Sequence, residues 1–431
     1  MTAPVVLLVS LNFPPSQIAS VHRARLLARH LPVKGWRPIV ITVDERDHKE
    51  PTDPELGRLV PPTVEVHRVR ALPLALTKPF GLCDLALRSL PRVRSKIFEL
   101  INRERPRAVF ITGWPFYQMM LSSAIERAGV PVVLDFQDPW VSSLGSGHPL
   151  WSKARLAHQL GVWLEPRALR AASFVTSVSQ VQNEEMAARY PWLDRARMAA
   201  IPIGGDPDDF DALRVNPPDN PQVILDPARI NLSYVGTFLP RGGALVRALF
   251  QAVRLLQEES PELAGRLALH FVGTSNQSNG HDDFRIRPIA EEFGIADLVH
   301  ETPQRVPYLE ALNILANSQG LLLIGSDEPH YTASKIFPAL MSGRPYLSLF
   351  HEASSAHSIL SAAGGGRALA FQDLDQLESM TEQLRDSICE LSCEPEMLGS
   401  ARSPSCFAQT ADAVSGQFSE IFDSLISRVR K

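Results

Sequence analysis

Cysteine is scarce in this chain of 431 residues, which has four: Cys83, Cys389, Cys393 and Cys406. They are widely scattered, so we expect free thiols in a reducing compartment rather than a disulfide framework. The spacing of Cys389 and Cys393 would suit a metal ion, but no second Cys/His pair stands near them in the sequence. This scarcity argues against a disulfide-stabilised secreted protein.

Long apolar runs and an excess of positive charge are also missing. No run reaches the roughly 18 apolar residues of a membrane-spanning helix. The first run, at 5–11, is too short for a signal peptide and lacks a basic leader. A net charge of -4 gives no reason to expect nucleic-acid binding. We therefore expect a cytoplasmic protein, at most peripheral to the inner membrane.

Short apolar runs rich in β-branched residues recur along the chain in two series, with helical stretches between them. The first series lies at 5–11, 37–43, 64–69, 108–112, 130–136 and 173–179, and the second at 230–238, 267–275, 297–302, 320–326 and 344–350. Runs without polar alternation are typical of parallel strands that are buried on both faces. The predicted fold is α/β, with two doubly wound Rossmann-like domains facing each other across a cleft.

The change of composition after Ile203 predicts the domain boundaries. Residues 1–205 form the first predicted domain, and residues 231–406 form the second. Between them, 206–230 is rich in Pro, Asp and Gly and is interpreted as a linker with one helical turn. The tail, 407–431, is predicted to be an amphipathic helix that packs on either half. A chain of this length is too long for one ordinary core.

The segment TASKIFPALMSGRP, 332–345, follows an apolar strand and carries the clearest functional signal. A helix is predicted from Ser334 to the stop signals at Gly343 and Pro345. The free amides and positive dipole end of such a helix attract a phosphate, and Lys335 adds a full charge. The pattern predicts an anion site at the carboxyl end of the strand.

A second cation follows another predicted strand, in SYVGTFLPRGG. Arg241 precedes two glycines at the start of a helix, where its guanidinium can contact two phosphate oxygens in a fork. The alternative is a surface cation without a ligand. Together, Arg241 and Lys335 fit a diphosphate better than either does alone. Glu328 either accepts hydrogen bonds from ribose or sugar hydroxyls, or pairs locally with Lys335.

The loop after the first strand, NFPPSQIAS, is followed by two further polar residues, His22 and Arg23. Ser20 is a predicted N-cap of the next helix. We expect Gln17, Ser20, His22 and Arg23 to line a cleft, because the loop leaves the carboxyl edge of a sheet. The alternative is a plain strand–helix connection with its arginines in solvent.

DFQDPW, 135–140, also follows a predicted strand. Its two carboxylates and one amide favour a place in the cleft. An acid–base pair of Asp135 and Asp138 is one interpretation. The other is that Asp138 caps a turn before Pro139.

The stretch 87–107 carries seven basic residues among apolar ones. A basic amphipathic helix can lie on anionic lipid, which predicts peripheral membrane contact. A packed helix with a solvated basic face is the alternative.

Taken together, these motifs resemble the GT-B glycosyltransferases, particularly retaining family 4 of the polysaccharide-assembly type. DFQDPW resembles the DFRDPW of such members, and IPIGGDPDDF resembles the inter-domain IPNGVDxxxF. YVGTFLPRGG resembles the donor loop GRLxxxKG, with Thr237 at the place of its arginine and Arg241 at that of its lysine. SKIFPALMSGRP resembles SKLYEYLAAGKP. The resemblance covers nearly the whole chain.

The resemblance implies transfer of a sugar from a nucleotide diphosphate sugar to an acceptor hydroxyl, without a metal or other cofactor. The donor would bind mainly to the second domain and the acceptor to the first. The donor-binding residues implied there are Gly236, Thr237, Arg241, Gly273, Glu328, Ser334 and Lys335. Arg241 and Lys335 would stabilise the departing diphosphate. Gln137 lies where many members have a histidine that touches the donor sugar, with Asp138 beside it.

Departures from the family pattern keep two rival functions open. The paired glutamates of the family align with His330 and Pro338, and Gln17 to Ser20 replace a glycine-rich loop. One rival is a non-catalytic GT-B subunit that binds a partner enzyme. The other is a sugar-nucleotide epimerase with the same phosphate contacts.

Overall fold

The structure is a computed structural model that describes residues 3–49, 52–141, 152–275, 283–328, 333–399, 401 and 403–429. The chain divides into two compact units. The first comprises Met1–Ile203 together with Ala411–Lys431, and the second comprises Gly204–Thr410.

The first unit is a parallel sheet of seven strands with helices on both faces. Its elements in chain order are β1 Val5–Val9, α1 Val21–His30, β2 Arg37–Val43, α2 Pro54–Arg58, β3 Glu65–Val69, α3 Leu74–Thr77, α4 Leu85–Glu104, β4 Ala108–Thr112, α5 Ser122–Arg127, β5 Val132–Phe136, α6 Lys153–Arg170, β6 Phe174–Ser177, α7 Gln180–Arg189 and β7 Met198–Ala200. The strand order is β3-β2-β1-β4-β5-β6-β7. The connections therefore reverse direction between β1 and β4, where ligands bind in open α/β sheets.

A helix from the end of the chain, Ala411–Val429, completes one face of this sheet. Its Phe418 and Phe422 meet Phe110 of β4 edge-on, with ring centroids 5.2 and 6.3 Å apart. Phe422 also meets Trp36 at 5.3 Å. These rings lie in a buried core layer between the sheet and the helices. The last helix is thus an integral part of the first unit.

The second unit is a parallel sheet of six strands. Its elements are α8 Pro207–Val215, β8 Ile230–Val235, α9 Gly243–Glu259, α10 Pro261–Arg266, β9 Leu267–Val272, α11 Arg287–Glu292, β10 Val299–Thr302, α12 Tyr308–Asn317, β11 Gly320–Ile324, α13 Ile336–Met341, β12 Tyr346–His351, α14 Ser355–Ala363, β13 Gly366–Phe371, α15 Gln376–Ser379, α16 Thr381–Cys393 and α17 Pro404–Phe407; the helix at Ala411–Val429 is α18. The strand order is β10-β9-β8-β11-β12-β13. Here the connections reverse direction between β8 and β11.

These two doubly wound parallel sheets confirm the predicted α/β fold class. Every residue of β1 and β11 is buried, as expected for strands covered on both faces. The four cysteines are free thiols, as expected.

Two local predictions differ from the structure. The segment 206–230, predicted to be a linker, begins with the nine-residue helix α8 and lies wholly in the second unit. The helix predicted from Ser334 begins at Ile336 and has six residues, with Lys335 at its N-cap position. Thr332 lies outside the described residues. So short a helix has little macrodipole, and any attraction for an anion here depends mainly on the lysine itself.

Candidate functional site

The loops after β8 and β11 lie next to each other because these two strands pair directly. Gly236 directly follows β8 and has φ 141°, a backbone conformation that favours glycine. A Cβ atom at Gly236 would lie 3.1 Å from Cδ of Lys335. The lysine side chain therefore crosses the backbone of the β8 loop at close range. This is the point in the second unit where a ligand is expected.

The ammonium group of Lys335 contacts a tyrosine that the sequence analysis did not single out. Its Nζ donates to the hydroxyl of Tyr234 and lies 3.9 Å from the centre of that ring. The Tyr234 hydroxyl in turn donates to the carbonyl oxygen of Thr237 at 2.9 Å. Desolvation lowers the pKa of Lys335 to about 7. This lysine is therefore poised to gain a proton when an anion arrives.

Arg241 lies in a single turn of 3-10 helix just before α9 and is held by two carboxylates. Its Nε donates to Asp327 at 2.6 Å, and its Nη1 donates to Glu328 at 2.7 Å. The pKa of Arg241 is raised, mainly because of the hydrogen bond to Asp327. Both acids belong to the loop after β11, so these ion pairs join that loop to the β8 loop.

The contacts of Glu328 answer one question that the sequence left open. Glu328 forms an ion pair with Arg241, whereas the local partner suggested by the sequence was Lys335. The other partner of Arg241 is Asp327, which was not among the residues predicted from the sequence. A charge pair at the end of a buried strand was the available signal for it.

The remaining predicted donor residues lie at the same edge of the second sheet. Gly273 ends β9 with φ 77°, and its amide donates to Thr302 at 2.8 Å. Thr237 contributes its carbonyl to the Tyr234 contact. Ser334 is exposed and directly precedes Lys335. Pro338 lies inside α13, and His330 lies outside the described residues.

In the first unit, the loops after β1 and β4 meet where the connections reverse. The side-chain amide of Asn12 donates to the hydroxyl of Ser20 at 3.2 Å and to the carbonyl of Trp114 at 2.7 Å. Ser20 occupies the predicted N-cap position of α1, but its hydroxyl makes no capping hydrogen bond because its backbone is already helical. The hydroxyl instead accepts the hydrogen bond from Asn12.

Gln17 and His22 make local contacts. The amide nitrogen of Gln17 donates to the carbonyl of Thr52 at 3.3 Å, and the imidazole Nδ1 of His22 lies 3.4 Å from a guanidinium nitrogen of Arg25. The predicted cleft loop is therefore attached to its own unit at several points.

Arg23 is buried, although the prediction placed it in a ligand-binding loop. Its Nε donates to Asp135 at 3.1 Å, and its two terminal nitrogens donate to the carbonyls of Ile201 and Pro202 at 2.6 Å each. Its guanidinium lies 5.1 Å from the ring centre of Phe418. All of these partners belong to the first unit, so the contacts of Arg23 are structural ones.

Asp135 is equally buried and accepts hydrogen bonds from two hydroxyls as well. Thr112 donates to it at 2.6 Å and Thr176 at 2.8 Å. A carboxylate so fully engaged is not available as one half of an acid–base pair with Asp138, which corrects that interpretation. Asp138 is itself exposed.

Gln137 extends this buried network toward the edge of the sheet. Its amide nitrogen donates to the hydroxyl of Thr112 at 2.8 Å and to the carbonyl of Ser20 at 3.2 Å. Through Thr112 it is connected to Asp135 and hence to Arg23. The predicted residues Ser20, Arg23 and Gln137 are thus brought together by two partners, Thr112 and Asp135.

The comparison with known families was decisive for the first unit. Residues 20–204 match the model of the glycosyl transferase 4-like domain. The match covers most of the amino-terminal unit. This match, together with the GT-B fold of the solved structures described next, confirms the predicted resemblance to family 4 glycosyltransferases. It also confirms the predicted transferase class. No curated protein matches this chain in sequence.

Solved structures share the GT-B fold over nearly the full chain. A glycosyltransferase from Rickettsia africae is 15% identical with a TM-score of 0.60, and the alignment covers 98% of each chain. HepE from Anabaena, in complex with UDP and glucose, is 13% identical with a TM-score of 0.61 over 98% of this chain and 100% of its own. Sucrose-phosphate synthase from Thermosynechococcus elongatus is 17% identical with a TM-score of 0.62 over 99% and 100%. At these identities the likeness shows the fold alone.

Within the described part of the chain, no helix is both long and apolar enough to cross a membrane.

Proposed function

We propose that this chain transfers a sugar from a nucleotide diphosphate sugar to an acceptor hydroxyl of a polysaccharide, a glycolipid or a glycosylated metabolite. The observation that carries the proposal is the junction of the β8 and β11 loops. There Lys335 lies against Gly236, and Arg241 is joined to Asp327. Two cations from adjacent strand ends can neutralise the charge of a diphosphate.

The proposed mechanism uses the side chains of this chain without a metal ion. Charge develops on the diphosphate as the sugar–oxygen bond breaks, and Lys335 and Arg241 stabilise that charge. The acceptor oxygen forms its bond to the sugar carbon on the face from which the diphosphate departs, so the configuration at that carbon is retained. A phosphate oxygen of the departing diphosphate accepts the proton of the acceptor hydroxyl. Gln137 and Asp138 of the first unit are proposed to contact the sugar or the acceptor. Thr237, Gly273 and Ser334 contribute backbone and hydroxyl contacts to the donor.

UDP is the first nucleotide to test, because HepE shares the fold and holds UDP and glucose in its crystals. A thermal-shift panel of nucleoside diphosphates and their sugars should give a rise in melting temperature with at least one of them. Lys335→Ala and Arg241→Ala should each reduce that rise. Unchanged donor affinity in both variants would contradict the phosphate assignment.

The same panel of nucleotides and nucleotide sugars tests two alternative functions. A non-catalytic subunit would show no stabilisation by any nucleotide of the panel, and the occupation of Arg241 by two carboxylates is the observation that favours it. A sugar-nucleotide epimerase would convert a stabilising donor without any acceptor, whereas a transferase would at most hydrolyse it slowly. Analysis of the donor after incubation alone therefore distinguishes the two enzymes.

A further inference from the structure

Helix α6 of the first unit is packed on its core over only part of its length. Gly161, Leu164, Ala168 and Leu169 are among its buried residues, and all of those lie in its carboxyl-terminal portion. Between 153 and 160, a fully described range, no residue is buried. Eight residues of helix correspond to roughly 12 Å. Two turns of α6 therefore stand clear of the core.

The uncovered side of α6 carries a stripe of large apolar side chains. Leu156, Leu160 and Trp163 are 53%, 39% and 55% exposed. Their spacing of four and then three residues places them on one face of the helix. Single exposed apolar residues are ordinary, but a contiguous row on one helix face indicates an interaction surface. We name these three residues the α6 stripe.

Cations continue the α6 stripe toward the carboxyl end of the helix. The guanidinium of Arg167 lies 3.8 Å from the ring centre of Trp163, and that of Arg170 lies 4.9 Å from the ring centre of the exposed Trp192. The helix has one acidic residue, Glu165, which is buried and accepts hydrogen bonds from Arg189 and Tyr190 at 2.7 Å each. The exposed face is thus apolar and positive.

The basic segment 87–107, which was predicted to contact a membrane, has a different environment. Arg88 is buried and donates to the carbonyls of Leu72 and Asp47 at 2.9 Å each. Lys96 pairs with Glu99 at 2.6 Å, and Arg103 pairs with Glu104 at 2.6 Å. Much of its positive charge is engaged within the unit, so the charge available for a lipid surface is smaller than the sequence suggests.

We propose that the α6 stripe, with Arg167 and Arg170, docks this chain on the surface of an anionic lipid bilayer. Leucine and tryptophan side chains enter the interfacial layer of a membrane, while neighbouring arginines contact lipid phosphates. A second copy of this chain is a poorer occupant. A symmetric contact would pair this positive face with an identical positive face, whereas an anionic bilayer carries the opposite charge. The proposal is independent of sugar transfer.

The test is sedimentation of the full chain with phosphatidylcholine vesicles, with and without phosphatidylglycerol. We expect binding to the anionic vesicles that weakens at high salt. Arg167→Gln with Arg170→Gln should weaken it by about fivefold for each charge removed. Leu156→Ser with Leu160→Ser should weaken it by about tenfold or more. Val33→Ser, at an 80% exposed position elsewhere in the same unit, is the matched control and should bind like the wild type.

Several results would overturn the proposal. One is the absence of binding to anionic vesicles, and another is equal binding to anionic and neutral vesicles. A third is that the α6 variants bind like the wild type although circular dichroism shows that they are folded. Loss of binding only in Leu76→Ser with Phe80→Ser, two other exposed positions, would assign the surface to a different segment. A wild-type dimer in light scattering that becomes a monomer in the α6 variants would identify a second copy as the occupant.

Discussion

Arg23 and Asp135 form an ion pair from which solvent is fully excluded, with Nε and Oδ2 3.1 Å apart and neither side chain accessible. The Asp135 carboxylate also accepts hydrogen bonds from Thr112 and Thr176. The terminal nitrogens of Arg23 donate to the carbonyls of Ile201 and Pro202. The pair connects α1 with β5 and with the chain after β7. Its geometry indicates a role in the architecture of the first unit.

Asp135→Asn should therefore destabilise the protein without any ligand present. The substitution leaves the Arg23 guanidinium charged and buried without its counter-ion, which costs about 3–5 kcal/mol in comparable sites. Differential scanning calorimetry should show a clear fall in the melting temperature of the first unit. The matched control is Glu55→Gln in the exposed pair with Arg58, where the expected loss is below about 1 kcal/mol. Equal effects of the two substitutions would contradict the buried ion pair.

Lys335 should couple nucleotide binding to proton uptake, if the proposed donor site is correct. Its pKa is lowered to about 7, and a bound diphosphate favours the ammonium form. The protein should then take up about half a proton per nucleotide at pH 7 and approach about one as the pH rises toward 9. Calorimetric titration in buffers of different ionisation enthalpy measures this uptake.

Two variants serve as controls for that titration. Lys335→Met should abolish the proton uptake, since methionine does not titrate. Tyr234→Phe removes the hydrogen bond to the ammonium but keeps the aromatic ring, so the pKa of Lys335 should fall further and the onset of uptake should move to lower pH. Nucleotide binding with no proton uptake in the wild type would exclude the coupling while leaving the donor site itself intact.

The same lysine predicts how stability changes with pH. The unfolded chain holds the Lys335 proton up to a pKa of about 10.5, whereas the folded chain releases it near 7. Between these values the unfolded state binds more protons, so this group makes the free energy of unfolding rise with pH across that window. The difference in unfolding free energy between the wild type and Lys335→Met, followed by denaturant titration from pH 7 to about pH 10, should show this slope. A difference independent of pH would show that the lysine has an ordinary pKa.

Glu328→Gln should strengthen nucleotide diphosphate binding by about fivefold, the equivalent of about 1 kcal/mol, because it releases one of the two carboxylates that compete for Arg241. Isothermal titration with UDP measures the change. The matched control is Glu292→Gln, which releases Arg247 of α9 from an exposed ion pair and should not alter affinity. A fall in affinity would instead favour the other interpretation of Glu328, contact with the ribose or sugar hydroxyls.

Gly236→Ala should weaken nucleotide binding more than it lowers stability. The new Cβ would sit 3.1 Å from Cδ of Lys335, and the backbone angle of 141° is unfavourable for alanine. Strain of this kind costs about 1–3 kcal/mol, and displacement of the lysine adds a loss of affinity. Gly265→Ala, where a Cβ meets open space, is the matched control. An unchanged UDP affinity in Gly236→Ala would argue against a ligand at this loop.

The sequence predicted every uniformly buried strand, and also the partly buried edge strands β3 and β10. β1, β2, β4, β5 and β11 are almost entirely covered, so their apolar runs are unmistakable. The predictions missed β7 and β13, which are at edges of their sheets and only partly buried. An edge strand needs fewer large apolar residues, and its pattern resembles that of a loop.

The two cations of the candidate site could be predicted from the sequence, but the residues that they contact could not. Lys335 and Arg241 each follow a buried strand at a fixed offset, which is local information. Their contacts with Tyr234 and Asp327 depend on how adjacent strands align, and sequence spacing does not encode this. For the same reason Arg23, which looks like an exposed loop residue in sequence, is buried against residues more than a hundred positions away.

The position of α18 has a consequence for synthesis on the ribosome. Phe418 and Phe422 help to cover Phe110 and Trp36, so the core of the first unit lacks part of its cover until residues beyond the second unit have been translated. The second unit, Gly204–Thr410, is finished earlier. The amino-terminal sheet of the nascent chain therefore stays incompletely covered while the second unit is made, although amino-terminal domains generally fold first. Order of translation and order of completion are reversed in this protein.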